Sequence, residues 1–254
     1  MASLDGKRGL IVGIANESSI AWACARAARA QGAQLAATWL NEKAQPHVAP
    51  LLDQLDITLR MPLDVTDDGQ MATLFNAISA QWGGLDFLLH SIAFAPKADL
   101  QGRVTDSSRD GFALAMDISC HSFIRMARHA EPLMSAGGSL LTVSFLGGEA
   151  VIPHYGIMGP VKAALEASVR YLASELGPAG IRVNAISPGP IVTRAASGIA
   201  EFDALVTEST SRSPLKRPLA IDDVGPLCAF LASDGARAIT GGIHFVDGGY
   251  NIIN

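Results

Sequence analysis

The sequence predicts a three-layered α/β fold built on a seven-stranded, doubly wound parallel sheet. Two observations carry the prediction. Short apolar and β-branched runs alternate with longer helical patterns along the 254-residue chain, and right-handed crossovers turn that alternation into a parallel sheet covered by helices. Apolar residues make up 49% of the chain, which suits strands buried on both faces. An α/β unit of this length is commonly one domain, and no internal repeat, low-complexity tract or linker interrupts it. The whole of 1–254 therefore reads as a single domain.

The elements follow in order. A strand at Arg8 to Gly13 passes through a turn into an alanine-rich helix ending near Gly32. A second strand, Ala33 to Trp39, leads into a helical stretch that Pro46 and Pro50 should break. The third strand, Ile57 to Leu63, ends at Asp64-Val65, and a helix from Asp67 to Trp82 returns the chain to a fourth strand, Leu85 to His90. After the loop Lys97 to Thr105, a long helix is expected from Asp106 to His129. The fifth strand, from Ser139, empties through Gly147 and Gly148 towards a long amphipathic helix carrying Tyr155 and Lys162. The sixth strand, Ile181 to Ile186, exits through Pro188-Gly189-Pro190, where two prolines stiffen the chain. Arg194 to Ser213, rich in small and polar residues, has the composition of a lid. A last helix, Ile221 to Ala232, and a last strand, Gly242 to Val246, close the sheet.

In such sheets ligands sit outside the carboxyl ends of the strands, so the exits carry the candidate chemistry. The turn after the first strand holds Gly13, Ser18 and Ser19 before the helix, and unpaired amides with the dipole at a helix start favour a phosphate. It has one glycine where the usual dinucleotide turn has three, and either serine would equally serve as an ordinary helix cap. The second strand ends Trp39-Leu40-Asn41, without the acid that binds an adenosine ribose or the Arg that binds a 2′-phosphate; lack of the Arg favours NAD, with NADPH left open. Small residues in Ser91-Ile92-Ala93 would let a flat ring lie on the backbone, with Phe94 as a wall. Tyr155 and Lys162 are seven residues apart, about two helical turns, and would share a face of a continuous helix. A neighbouring ammonium would lower a phenol pKa that is otherwise about 10.

Other function classes recede. Cys24, Cys120 and Cys228 are far apart and lack ligand spacing, so neither disulfides nor a metal site is indicated; they read as small buried residues. The six histidines show no ligand spacing either. A net charge of −5 argues against nucleic acid. No apolar run approaches a membrane span, and Met1 to Lys7 leaves no room for a signal peptide, so a soluble cytoplasmic protein is expected.

Taken together the motifs resemble the short-chain dehydrogenase/reductase superfamily and, within it, the enoyl-[acyl-carrier-protein] reductases (NADH) of bacterial type II fatty-acid synthesis. Gly13 with Ser19-Ile20-Ala21 is similar to that family's substitute for the glycine-rich turn. His90-Ser-Ile-Ala-Phe-Ala95 stands where ordinary members have Asn-Asn-Ala-Gly, and the run from Pro188 to Gly198 is similar to the family's substrate loop. Tyr155 and Lys162 fit the Tyr-x6-Lys spacing of enoyl reductases, whereas carbonyl-reducing members carry Tyr-x3-Lys.

The resemblance implies a Rossmann-like NAD-binding domain with a lid at about 193–213, and NADH-dependent reduction of the trans-2 double bond of an enoyl thioester. It implies Tyr155 and Lys162 as catalytic residues. Gly13, Ser19, Ile20, Asp64, Val65, Ser91, Ile92, Ala93, Lys162, Ile191 and Thr193 would bind the cofactor, and Phe94, Ala95, Phe145, Met158, Ile199 and Phe202 the substrate; plain core packing competes as the reading of Phe94, Met158, Ile199 and Phe202. It further implies an acyl carrier protein as partner and a homotetramer, with Ala163, Ala164, Ala167 and Ala173 permitting close approach between helices.

Three features depart from the family pattern. Phe145 replaces a tyrosine common there, so any hydrogen bond from that hydroxyl is lost. The lid carries Glu201, Asp203 and Glu208 where basic residues would suit an acidic carrier, leaving Arg194, Arg212, Lys216 and Arg217 as cations. Pro160, between Tyr155 and Lys162, either sits in the first turn of its helix or bends it. A carbonyl reductase is disfavoured by the Tyr-x6-Lys spacing, and a non-catalytic nucleotide-binding relative by retention of both Tyr155 and Lys162.

Overall fold

The computed structural model describes residues 3–194 and 196–253; Met1, Ala2, Ala195 (within the segment expected as a lid) and Asn254 lie outside the described residues. Seven parallel strands form one sheet in the order β3-β2-β1-β4-β5-β6-β7. They are β1 (Arg8–Val12), β2 (Gln34–Trp39), β3 (Leu59–Pro62), β4 (Phe87–His90), β5 (Gly138–Val143), β6 (Ile181–Pro188) and β7 (Ile243–Val246). The helices are α1 (Ile20–Ala30), α2 (Gln45–Gln54), α3 (Asp68–Trp82), α4 (Lys97–Leu100), α5 (Arg109–Met116), α6 (Ser122–Ala130), α7 (Met158–Leu176), α8 (Phe202–Arg212) and α9 (Ile221–Ala232).

The pleat divides the core into two layers, because successive side chains of a strand face opposite ways. Leu10 and Val12 of β1 and Leu88 of β4 pack with α3, α6 and α7. Ile11 of β1 and Phe87 and Leu89 of β4 face the other way and pack with α1, α2 and α9. Sequence chemistry sets the ends of α3: the Asp67 carboxylate accepts from the Gln70 amide at the start, and Gly83 closes it at φ 67°. On the opposite layer α1 and α9 pack backbone to backbone; a Cβ on Gly225 would lie 2.7 Å from the Ala23 carbonyl oxygen. All three cysteines are buried and free, and among the described residues no helix is long and apolar enough to cross a membrane.

Two expectations need correction, and a third holds with one irregularity. α2 runs unbroken from Gln45 to Gln54: Pro46 stands in the first turn, where its missing amide would be unpaired anyway, and Pro50 removes a single hydrogen bond without ending the helix. The long helix expected over 106–129 is present as an unbroken helical run from Arg109 to Ala130, made of α5, a π turn (Asp117–His121) and α6, and a 3₁₀ turn (Val104–Asp106) precedes it. The loop before it contains α4.

Candidate active site

The strand order reverses direction between β1 and β4, and a crevice opens at such a switch point on the carboxyl edge. There the exits of β1 and β4 touch. The Ser91 amide donates to the Val12 carbonyl (2.9 Å), and Gly13, at φ 111°, would place a Cβ 2.0 Å from the Ser91 carbonyl oxygen, so no larger residue fits. Ser19 is buried at the end of the turn and its Oγ accepts from the amides of Ala15 and Asn16, both at 3.0 Å. It therefore shapes the turn from within, rather than offering a hydroxyl outward or capping α1 with its side chain. Among the described residues nothing pairs with the amides of Ile20 and Ala21. A close backbone approach followed by free amides at a helix start fits the phosphates of a dinucleotide.

Beside the crevice lies a cavity of about 160 Å³ that opens to solvent. Ala93, Phe94 and Ala95 from the β4 exit form one wall with Leu100 of α4, and Val143, Ser144 and Phe145 from the β5 exit form the second. Tyr155, Met158 and Lys162 make the floor; Pro188 to Ile191, Thr193, Ala196, Ile199 and Phe202 close the side after β6, and Ile20 reaches in from α1. Of the residues expected at the site, Gly13, Ser19, Asp64, Val65, Ser91 and Ile92 are not among the cavity's walls. The first two and Ser91 build the β1–β4 crevice. Asp64 folds back to accept from the amide and hydroxyl of Thr66 (2.9 and 2.7 Å), and Val65 is buried, its carbonyl held by Arg125. Met158, Ile199 and Phe202 both line the cavity and pack on the core, whereas Phe94 is half exposed.

Tyr155 does not share a helix with Lys162. Positive φ at His154 (61°) and Gly156 (53°) turns the chain sharply around it, and α7 starts only at Met158, which leaves Pro160 in the first turn, where its missing amide costs nothing. The phenol ring is fixed from two sides: it packs against Phe145 with centroids 4.8 Å apart, and a Cβ on Gly147 would stand 2.4 Å from it. Burial raises its pKa above the ordinary phenol range, and the charge of Glu166 adds to the rise. The expected lowering by Lys162 is therefore overturned: the ammonium sits one stretch of helix away and donates to the Val143 carbonyl at 2.7 Å. Burial lowers Lys162 to about 8, with Glu166 and Cys120 working against the fall.

Several residues escaped sequence reasoning. Ser119, on the π turn, clamps the backbone of Phe94 by accepting from its amide (2.9 Å) and donating to its carbonyl (3.0 Å); π turns often occur at functional sites, but no spacing rule reveals one. Leu100 and Val143 reach the cavity from elements read as loop and plain strand. Glu166 is the largest omission. It is buried and accepts from Ser144 Oγ at 2.5 Å, and the signal was present, since it follows Lys162 by one helical turn.

Residues 13–251 match the family model described as Enoyl-(Acyl carrier protein) reductase. A Rhizobium meliloti protein named enoyl-[acyl-carrier-protein] reductase [NADH] 1 is 47% identical over 98% of this chain and 92% of its own. The crystal structure of the Anaplasma phagocytophilum enoyl-(acyl-carrier-protein) reductase in complex with NAD superposes with a TM-score of 0.96 at 47% identity, covering 100% of this chain and 97% of that one. The Bacillus cereus enoyl-acyl carrier protein reductase, bound to NADP+ and an indole naphthyridinone, gives a TM-score of 0.97 at 44% identity with 100% of both chains covered. The crevice at the β1–β4 switch point, the Tyr155–Lys162 floor and this likeness over the full chain agree: the chain belongs to the enoyl-(acyl carrier protein) reductases of the short-chain dehydrogenase/reductase superfamily.

Proposed function

We propose that this protein reduces the trans-2 double bond of an enoyl thioester, carried by acyl carrier protein, with NADH, in fatty-acid elongation. The observation that carries the reading is the convergence of Tyr155 and Lys162, both buried, on the floor of an apolar cavity beside the dinucleotide crevice. NADH, when bound, supplies the hydride that the substrate's β-carbon receives. The chain's own residues do the rest.

As the double bond is reduced, negative charge gathers on the thioester oxygen, and a preorganised donor lowers the barrier for that step. The raised pKa of Tyr155 keeps its proton in place at neutral pH, so the phenol is a donor and not a base. Lys162, with a pKa near 8, is cationic under the same conditions; it holds the cofactor's ribose and stabilises the developing oxyanion. Gly13, Ser19, Ile20, Ser91, Ile92, Ala93, Ile191 and Thr193 bind the nicotinamide half and the pyrophosphate, and Asp64 and Val65 serve the adenine side. Phe94, Ala95, Phe145, Met158, Ile199 and Phe202 enclose the acyl chain in apolar surface, which favours a hydrocarbon over water. NADH is favoured over NADPH because Trp39-Leu40-Asn41 at the end of β2 offers no Arg for a 2′-phosphate.

The chain acts as one NAD-binding domain, 1–254, in the cytoplasm, with 193–213 as its lid. It assembles as a homotetramer through α5, α7 and the last strand. Exposed Phe112 and Leu114 on α5 and Tyr171 on α7 support that face, as do the half-buried Ala163, Ala164 and Ala167; Ala173 points into the core and drops out of the stripe. Light scattering should give four times the 26.5 kDa chain mass, and a monomer would contradict it.

The deciding assay follows NADH oxidation with a crotonyl thioester, presented on coenzyme A and on acyl carrier protein, beside a 3-oxoacyl substrate. Both enoyl substrates should turn over. Tyr155→Phe should lose about 10²- to 10³-fold in kcat while still quenching on NADH binding like the parent. Turnover of the 3-oxoacyl substrate alone would overturn the assignment in favour of carbonyl reduction.

A further inference from the structure

Behind the catalytic floor lies an ionisable group that the mechanism above does not use. Glu166 is 3% exposed, and a buried carboxylate is costly unless it is hydrogen-bonded and balanced by charge. Its surroundings are built for it. Ser144 donates its hydroxyl to Oε1 at 2.5 Å. Gly148 leaves the space the carboxylate fills, since a Cβ there would come within 2.8 Å of Oε1. Lys162 stands one turn earlier on α7, tied through its ammonium to the carbonyl of Val143, the residue next to Ser144. One short stretch of the β5 exit, residues 143–148, thus receives the lysine and the glutamate of the same helix. It then supplies Phe145 and Gly147, the two contacts that fix the Tyr155 ring.

We infer that Glu166, held by Ser144, is a positioning residue for the enoyl reduction: its carboxylate is the counter-charge for the Lys162 ammonium one turn earlier on α7. The inference rests on the reading of Tyr155 and Lys162 given above. The charges facing Glu166 are Lys162 and Arg170 on α7 and Glu149 after the β5 exit, with Tyr155 on the preceding loop; Cys120 of the π turn faces Lys162. The signs are consistent. An anion at 166 raises both Lys162 and Tyr155, so each keeps its proton to higher pH than it would beside a neutral group. Its own carboxyl is raised by burial and by Glu149, while the Ser144 hydrogen bond and the charges of Arg170 and Lys162 oppose the rise.

The test is the pH dependence of kcat for crotonyl thioester reduction in the intact enzyme. Glu166→Gln preserves shape and can still accept from Ser144, so a purely structural role would leave the profile where it was. The inference requires its alkaline limb to move to lower pH by roughly one unit. The variant would then be within about threefold of the parent at pH ~6.5 and about tenfold slower at pH ~8.5. Glu166→Asp keeps the charge, and its limb should stay near the parent's even if kcat falls. A Gln profile that superposes on the parent, or an Asp limb displaced as far as Gln's, overturns the inference. Should Gln fail to melt cooperatively, the Asp limb alone decides. A parent enzyme inactive on every enoyl thioester would instead remove the functional reading beneath it, an outcome distinct from an active parent with unshifted variants.

Discussion

His90 ends β4 inside the core, fully buried, with both ring nitrogens engaged: Nδ1 is 2.9 Å from Thr142 Oγ1 and Nε2 is 2.8 Å from Ser122 Oγ. Ser122 spends its own proton on the Ile118 carbonyl at 2.7 Å, so it must accept from Nε2–H, which leaves Nδ1 to accept from Thr142. The ring is therefore the neutral Nε2–H tautomer, and burial, followed by the charge of Lys162, lowers its pKa to about 3. In the unfolded chain it titrates near ~6.5, so below that pH the unfolded state binds the extra proton and stability falls as the solution is acidified towards pH ~3. Urea unfolding at pH 7 and pH 5 should show about 2 kcal/mol of acid destabilisation from this group. His90→Gln should be weaker at pH 7 by about 1–3 kcal/mol yet lose that share of the acid dependence; an unchanged slope would refute the assignment. At this scale the sequence was informative about type and mute about partners. The sequence pointed to Tyr155 and Lys162 and both line the cavity, though not from one helix. The raised phenol and the Ser144–Glu166 bond were not, because both arise from burial and from contacts between separate elements.

Helix boundaries show the same division. Periodicity announced α7 correctly but could not show where it begins, since a loop packed tightly enough keeps an apolar residue on the same side as a helix would. What excludes Tyr155 from α7 is backbone geometry: the left-handed His154 and Gly156, the latter pressed so closely that a Cβ would lie 2.6 Å from the Leu100 carbonyl oxygen. Pro160 consequently occupies the first turn, and Pro160→Ala should change stability by no more than about 0.5 kcal/mol. A proline in the helix interior would instead be relieved by about 3 kcal/mol, so thermal unfolding of one variant separates the two. Gly147→Ala is the complementary test. Its methyl would push the Tyr155 ring aside, so kcat should fall at least tenfold by displacement of the donor, with the circular dichroism spectrum and cooperative melting retained. Equal loss of fold and activity would show that Gly147 serves the loop and not the phenol. The π turn after α5 was illegible for a related reason: an extra residue in a helical turn leaves the surrounding apolar pattern nearly intact.

For the whole molecule, a doubly wound parallel sheet followed from alternation and crossover handedness, though not the order of its strands, whereas the behaviour of the segment proposed as a lid depends on how its charges are already spent. Its helix α8 presents Asp203 and Glu208, with Glu201 just before it and 3.6 Å from His154. Of the cations nearby, Arg212 is paired with Glu208 at 2.8 Å and Arg217 with Asp223 at 2.7 Å. Lys216 is turned back onto the carbonyls of Ser211 and Arg212, and among the described residues Arg194 has no acidic partner. Electrostatic attraction speeds encounter only where unpaired charge faces the partner, and salt removes it within a Debye length of about 10 Å at 0.1 M. An acidic carrier protein approaching this rim, on a chain of net charge −5, gains little such attraction. Accordingly kcat/KM for crotonyl-acyl carrier protein should change by less than about threefold between about 0.03 and about 0.3 M salt. It should run parallel to the coenzyme A thioester, which carries the same acyl group. Asp203→Lys should raise the carrier-borne rate at low salt, leave the coenzyme A rate alone and introduce a salt dependence that the parent lacks. A parent enzyme that loses tenfold or more with salt on the carrier substrate alone would mean that its cations, paired as they are, still steer the carrier, and that docking overrides the pairs seen within the chain.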